Sequence, residues 1–425
     1  MTVQEEVQAT AWPTEKRGRS FNGGHLVRLM GPAFVASIAY VDPGNVATNL
    51  TAGARYGFLL VWVLLLANIA AVVAQYLSAK LGIVTGRSLP EQMRARLSGR
   101  WRLLYWAQAE VTIVATEVAE VIGGALALRI LFGLPLVLGG LIVGAVSFGM
   151  LALQSRRRQR TFEAVLIGML AVIVIGFTSG LAVSHVDWLG ALGGVAPRFS
   201  GTDSVLLAAA VVGATVMPHA IYAHSSLARD RHCAPGVPVP SGLADKLLRA
   251  TRWDVGSALA VAGSVNLAML LLAAAALRGI GDTDTLQGAA SAMTAHIGAG
   301  VGLVFAVGLL ASGLASTTLG GYAGSEIMAG LLKVSVPVIT RRVVTIIPAL
   351  VVLATGVDPS RALVLSQVVL SIGIPLALIP LIRLTADREV MGSFANRAAL
   401  RIAGTVVALG IVTLNLLLLV LTLKG

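Results

Sequence analysis

Ala36-Ser37-Ile38-Ala39-Tyr40-Val41-Asp42-Pro43-Gly44-Asn45-Val46-Ala47-Thr48-Asn49 sets a carboxylate, a proline, a glycine and an amide in the middle of an apolar run. Pro43 has no backbone N–H, and its ring clashes with the carbonyl four residues earlier, so the run cannot continue as one helix and the Ala39 carbonyl is freed. A second stretch, Gly213-Ala214-Thr215-Val216-Met217-Pro218-His219-Ala220, repeats the device, with Pro218 freeing the carbonyl of Ala214. At membrane depth such carbonyls are tolerated only when buried in protein or lining a hydrated cavity, and a bound cation is one way to satisfy them.

The sequence around these stretches is that of a membrane protein. Of its 425 residues 56% are hydrophobic and 12% charged, a balance at which a soluble globular protein would aggregate. Runs of about 20 apolar residues, the length that crosses a bilayer core, recur eleven times. They fall at 27–50, 58–80, 104–128, 134–154, 162–184, 203–227, 254–277, 299–318, 335–356, 361–382 and 400–423. The broken segments are the first and the sixth. That spacing predicts an all-α membrane protein with a 5+5 inverted repeat and discontinuous helices 1 and 6, the arrangement that builds a midplane site. Residues 1–25 then form a disordered cytoplasmic tail, 26–184 and 203–384 the two repeats, and 395–425 the added eleventh helix.

Charge supports the same segmentation. Of the 32 Lys and Arg, 26 fall in alternate connections, including Lys16, Arg17, Arg94, Arg96, Arg156–Arg158, Arg229, Arg341 and Arg388. Arg55, Arg129, Arg198, Arg278, Arg361 and Lys424 lie on the other side. The positive-inside rule then puts the N-terminus in the cytoplasm and the C-terminus outside a plasma membrane. The net charge of +12 is thereby read as topology and membrane anchoring, and no nucleic-acid partner is expected. The polar first 25 residues lack a signal-peptide core. The lone Cys233 excludes an intrachain disulfide and a cysteine metal cluster; with Pro235, Pro238 and Pro240 it marks a flexible connection.

At the two breaks the chain resembles the Nramp family of proton-coupled metal-ion transporters. Asp42-Pro43-Gly44-Asn45 and Met217-Pro218-His219 stand where that family has its signature motifs. The likeness extends through Leu77-Ser78-Ala79-Lys80-Leu81-Gly82, Ala115-Thr116-Glu117-Val118-Ala119-Glu120 and Leu365-Ser366-Gln367-Val368, and covers residues 26 to 420. The resemblance implies a LeuT-like fold that alternates between outward-open and inward-open states, and import of Mn²⁺ or Fe²⁺, with Cd²⁺ and Co²⁺, coupled to protons. It also implies a ligand set: the side chains of Asp42, Asn45 and Met217, the carbonyl of Ala39 or of Ala214 according to state, and Gln367 when occluded. No cofactor and no obligatory protein partner are implied.

The residue chemistry is compatible with this. Asp42 is costly at the bilayer centre unless a proton or a cation neutralises it, so metal entry should expel a proton. Asn45 follows at i+3, near enough for two oxygens to share one ion, a pair that would also suit Mg²⁺ or Ca²⁺. The Met217 thioether is soft and tips the balance toward transition metals. His219 lies off the face of Met217, and the resemblance gives it a part in proton and conformational coupling. His224 nearer the cytoplasm is either structural or on a proton path. Glu117 and Glu120 share a helix face, which suggests a proton relay, an ion pair with Arg341 or Arg342, or both; the family more often has Asp where Glu117 stands. Asp254 and Asp358 read as gating or structural residues.

Two rivals fail on particular residues. An amino-acid carrier of this architecture needs small residues at the first break to receive the substrate carboxylate, which Asp42 would repel, and a Mg²⁺ carrier would have a small residue in place of Met217. A membrane-embedded enzyme requires a triad, an aspartate pair or a His-Glu-x-x-His ligand set, and none is present.

Overall fold

The computed structural model describes residues 31–152, 159–233, 237–281, 283, 285–334 and 336–424. The expected N-terminal tail and Arg156–Arg158 lie outside them. All regular structure among the described residues is helical.

Among the described residues, eight helices are long and apolar enough to cross a membrane. They are α3 (Val61–Thr85), α5 (Gly99–Phe132), α7 (Gln159–Ala182), the pair α9 (Thr202–Thr215) and α10 (Pro218–His232), α11 (Ser241–Ala276), α13 (Ala299–Leu332), α15 (Pro359–Ala386) and α17 (Ala398–Lys424). The remaining expected spans correspond to shorter elements. The first is α1 (Pro32–Ser37), a 3₁₀ turn (Ile38–Val41) and α2 (Pro43–Tyr56). The fourth and ninth are α6 (Leu136–Ala152) and α14 (Val338–Ala354), 17 residues each. Short helices α4 (Leu89–Arg96), α8 (Trp188–Gly193), α12 (Leu286–His296) and α16 (Arg388–Met391) occupy connections.

The breaks fall where the prolines dictate. Asp42 is extended (φ −70°, ψ 167°) and caps α2, its carboxylate accepting the Asn45 N–H at 2.8 Å, while Pro43 takes the first helical position, where a missing N–H costs nothing. In the second break Val216 and Met217 leave helical geometry and Pro218 opens α10.

Helix packing carries a swapped symmetry. α11 packs on α2 as α3 packs on α10, α13 packs on α7 as α5 packs on α15, and α5 and α13 pack on each other at the centre. Elements of one half thus repeat, against the other half, the contacts their counterparts make, as an inverted repeat requires. Gly123 of α5 carries the Pro43 ring, and a Cβ there would overlap it.

Two sequence readings are corrected. The seventh helix starts at Ser241, not near 254, because its first turns hold Lys246, Arg249 and Arg252; apolar length marks only the part in hydrocarbon. The connection after α10 is packed where it is described. The Cys233 thiol donates to the Ile83 carbonyl at 3.4 Å, and Val239 is buried against Ile83 and Leu247. Pro235 lies outside the described residues.

Candidate metal site

The two breaks meet at one amide. Asn45 Nδ2 lies 2.6 Å from Asp42 Oδ1, 2.8 Å from the Ala214 carbonyl and 3.3 Å from the Ala39 carbonyl. An amide nitrogen has two hydrogens for these three acceptors. The carbonyls that Pro43 and Pro218 free therefore face each other across Asn45, with the carboxylate beside them.

Donors are scarce here. Asp42 Oδ2, Asn45 Oδ1 and Gln367 Oε1 are buried and meet no hydrogen-bond donor among the described residues. Gln367 of α15 reaches the cluster over Gly44. A Cβ on Gly44 would overlap the Gln367 amide and come within 3.1 Å of Asp42 Oδ2, so the bare Cα lets the two groups face each other. Asp42, Asn45, Met217 and Gln367 are all fully buried. Met217 stands between the two halves of the second break, three residues past Ala214. Buried acceptors without donors are costly, and a cation is the partner that satisfies several oxygens at once. Among the described residues no group of three His, Cys, Asp or Glu could hold a metal. The candidate donors are thus one carboxylate, amide and peptide oxygens, and the thioether of Met217, a weakly charged set suited to releasing an ion.

The other freed carbonyls are tied away from this point. Asn266 of α11 donates to the Tyr40 carbonyl at 2.6 Å and accepts from the Asn49 side chain at 3.0 Å, while Ser312 of α13 donates to the Val41 carbonyl at 2.6 Å. Asn266 thus bridges the turn before the break and the helix after it, leaving Ala39 to aim at the site. The Asn266→Leu variant orphans the Tyr40 carbonyl and the Asn49 amide, at about 1–3 kcal/mol each. It should lower the melting temperature and weaken Mn²⁺ binding on the order of tenfold; calorimetry showing both unchanged would remove this strut from the account.

Next to the site runs a line of acids. Glu120 of α5 is fully buried, neither of its carboxyl oxygens meets a donor by geometry among the described residues, and it lies one turn before Gly123, which packs on Pro43 beside Asp42. Glu117 pairs with Arg342 of α14 at 3.0 Å, and Arg342 also donates to Ser147. Arg341 takes neither of the expected partners. It pairs with Glu110 at 2.8 Å, because consecutive residues of a helix point about 100° apart and cannot serve one face. His219 places Nδ1 3.3 Å from the Thr116 hydroxyl on α5, with Nε2 unpartnered among the described residues. His224 lies 2.7 Å from Gln75 Oε1, and Gln75 donates to the Tyr40 hydroxyl at 2.6 Å, so His224 connects to the first break through two side chains.

Access differs at the two ends. A cavity of about 440 Å³, lined by Thr51, Arg55, Asp203, Leu207, Asp358 and Val364 among others, opens at the end that holds Tyr56. Its lining stops six residues from Asn45 and seven from Ala214, about 10 Å on the helical rise. Asp358 caps α15 there, accepting the Arg361 N–H at 2.7 Å. The opposite end is tied shut. Arg229 pairs with Glu91 (2.7 Å), Glu326 (2.8 Å) and Asp230 (2.9 Å). Burial alone would raise the Glu91 carboxyl, but the Ser88 amide and the Arg229 guanidinium hold it below its ordinary range. Asp254 of α11 grips the start of α1, accepting the N–H groups of Gly31 and Ala33 at 3.1 Å each.

Residues 33–421 match the family model described as natural resistance-associated macrophage protein-like. The divalent metal cation transporter MntH of Mycobacterium tuberculosis is 57% identical over 397 residues, covering 93% of this chain and 92% of the relative. MntH of Bacillus subtilis is 43% identical over 411 residues, covering 96% and 94%. Among solved structures, that of a manganese transporter from Eremococcus coleocola superposes with a TM-score of 0.83 at 28% identity, covering 95% of this chain and 88% of that one.

Proposed function

The chain belongs to the Nramp family of membrane metal transporters, and from that premise we propose that it carries Mn²⁺ or Fe²⁺, with Cd²⁺ and Co²⁺ as further cargo, into the cytoplasm with protons. It transports divalent metal and is not an enzyme. The observation that supports the finer reading is the meeting of the Ala39 and Ala214 carbonyls and the Asp42 carboxylate at the Asn45 amide, with buried Asp42, Asn45 and Gln367 oxygens that lack donors among the described residues and Met217 buried in the second break. The ion replaces its hydration shell with these oxygens, and Met217 favours an ion that a soft ligand can hold.

Coupling is assigned to the acids beside the site. Asp42 takes the metal and gives up a proton; Glu120, one turn from the Gly123 that packs on Pro43, receives it, and Glu117, Arg342, Arg341 and Glu110 carry the charge onward, with His219 and His224 adjusting the second break. The contrast between the open cavity at one end and the Arg229 ion pairs at the other supports alternating access. Residues 26–184 and 203–384 are assigned to the two repeats, 395–425 to the eleventh helix and 1–25 to a cytoplasmic tail, with the basic face toward the cytoplasm of a cell whose plasma membrane holds the protein.

The selectivity test is uptake of Mn²⁺ by vesicles holding the purified protein, in the presence of excess Mg²⁺ or Ca²⁺. Saturable uptake that neither ion inhibits is expected, and equal competition by Mg²⁺ would overturn the reading. For the coupling, Glu120→Gln keeps the shape and removes the proton. Wild-type uptake should accelerate as the outside is acidified, and the variant should lose most of that dependence while retaining Mn²⁺ affinity; an unaltered pH profile would take Glu120 off the path.

A further inference from the structure

Away from the metal site, a groove of about 550 Å³ is closed on three sides by α3, α9 and α17. Small residues carve it, among them Ala67, Ala70, Ala208 and Gly410, and Trp62 and Thr413 alone in its lining carry a polar side-chain atom. Along α3 it runs from Trp62 to Val73, eleven residues or about 17 Å. That is close to half of a bilayer core of roughly 30 Å, the depth of one leaflet.

The end at Trp62 has the chemistry of a membrane interface. The Trp62 indole N–H donates to the Arg198 carbonyl at 3.2 Å and its ring meets Phe199 edge-on at 5.3 Å, while the Arg198 residue is exposed. Tryptophan marks the headgroup level, so an apolar slot one leaflet deep begins beside a cation at the height of lipid phosphates. We propose that this groove holds one phospholipid, an acyl chain lying between α3, α9 and α17 and its phosphate at Arg198.

The position gives such a lipid a consequence for transport. Ala208 and Val212 of α9 form one wall, and Val212 is two residues before Ala214. The wall opposite is fixed: Asn415 of α17 donates to the Ser371 carbonyl of α15 at 2.8 Å and meets the Ser371 hydroxyl, which ties α17 to the helix that carries Gln367. An acyl chain fills the space between a half-helix that ends at the metal site and a helix that is anchored, and so supports α9. Only the transport readout rests on the proposed function; lipid retention does not.

The test is native mass spectrometry of the full chain, reconstituted in phosphatidylglycerol and phosphatidylcholine vesicles and re-extracted in mild detergent. Wild type should retain one phospholipid per chain. Ala208→Phe, which fills the groove, and Arg198→Ala, which leaves the packing intact, should each lose it, and Ala208→Phe should also slow Mn²⁺ uptake with Mn²⁺ affinity unchanged. Equal lipid retention in all three proteins overturns the proposal, as does a second copy of the chain in place of lipid mass. Loss of lipid from both variants with no Mn²⁺ uptake even by wild type would uphold the groove and contradict the metal reading instead.

Discussion

The Asp42→Ala variant should lose Mn²⁺ binding and uptake together. Asp42 is the one anionic group among the oxygens that surround Asn45, and it is fully buried. A divalent ion that leaves water for this site meets no second anionic group among the described groups bonded to Asn45 to offset its desolvation. Removing a residue that merely orients a metal ligand costs 10–100-fold in affinity, so loss of the ligand itself should exceed about 100-fold, or about 2.7 kcal/mol. The same carboxylate also caps α2 through the Asn45 N–H, and losing a cap costs about 1 kcal/mol. Asp42→Asn separates the two roles, because its amide oxygen can still accept from that N–H. It should melt near wild type and still fail to bind Mn²⁺ by titration calorimetry. Normal uptake by either variant would put the site elsewhere.

Met217→Ala should change which ions pass rather than whether ions pass. The thioether is the one soft donor at the second break, and the oxygens that remain suit Mg²⁺ and Ca²⁺ as well as Mn²⁺. Mn²⁺ affinity should fall on the order of tenfold, about 1.4 kcal/mol, while Ca²⁺, which wild type should exclude, becomes a competitor and a substrate. The backbone at Met217 is extended and Pro218 still opens α10, so the break itself should survive the substitution. Competition of ⁵⁴Mn uptake by Ca²⁺ reads the outcome directly; selectivity identical to wild type would refute the soft-ligand argument.

Much of this was legible in the chain because a proline and a polar residue inside an apolar run have few explanations. Pro43 and Pro218 place both breaks, and counting back four residues names the two carbonyls that the Asn45 amide joins. What stayed hidden depends on partners distant in sequence. Asn266 is 226 residues from Tyr40 and Ser312 is 271 from Val41. Local spacing cannot pair them, although a lone asparagine inside an apolar helix is itself a signal of buried function. The choice between Arg341 and Arg342 is hidden for a related reason: their adjacency in sequence conceals the rotation between their side chains, so Arg342 takes Glu117 while Arg341 takes Glu110, an acid two turns before Glu117 that the local pattern does not single out. The count of spans rests on α6 and α14, each 17 residues, where apolar length alone does not separate a crossing helix from a buried one.

The claim that the acids beside Asp42 couple metal to protons is tested most directly in liposomes that contain the purified protein and a pH-sensitive dye. Mn²⁺ added outside should enter saturably and acidify the interior in step with its uptake, with both signals absent for Asp42→Ala. Mn²⁺ entry with no acidification would contradict the account, leaving a metal pathway through Asp42 and Met217 but no proton passed to Glu120.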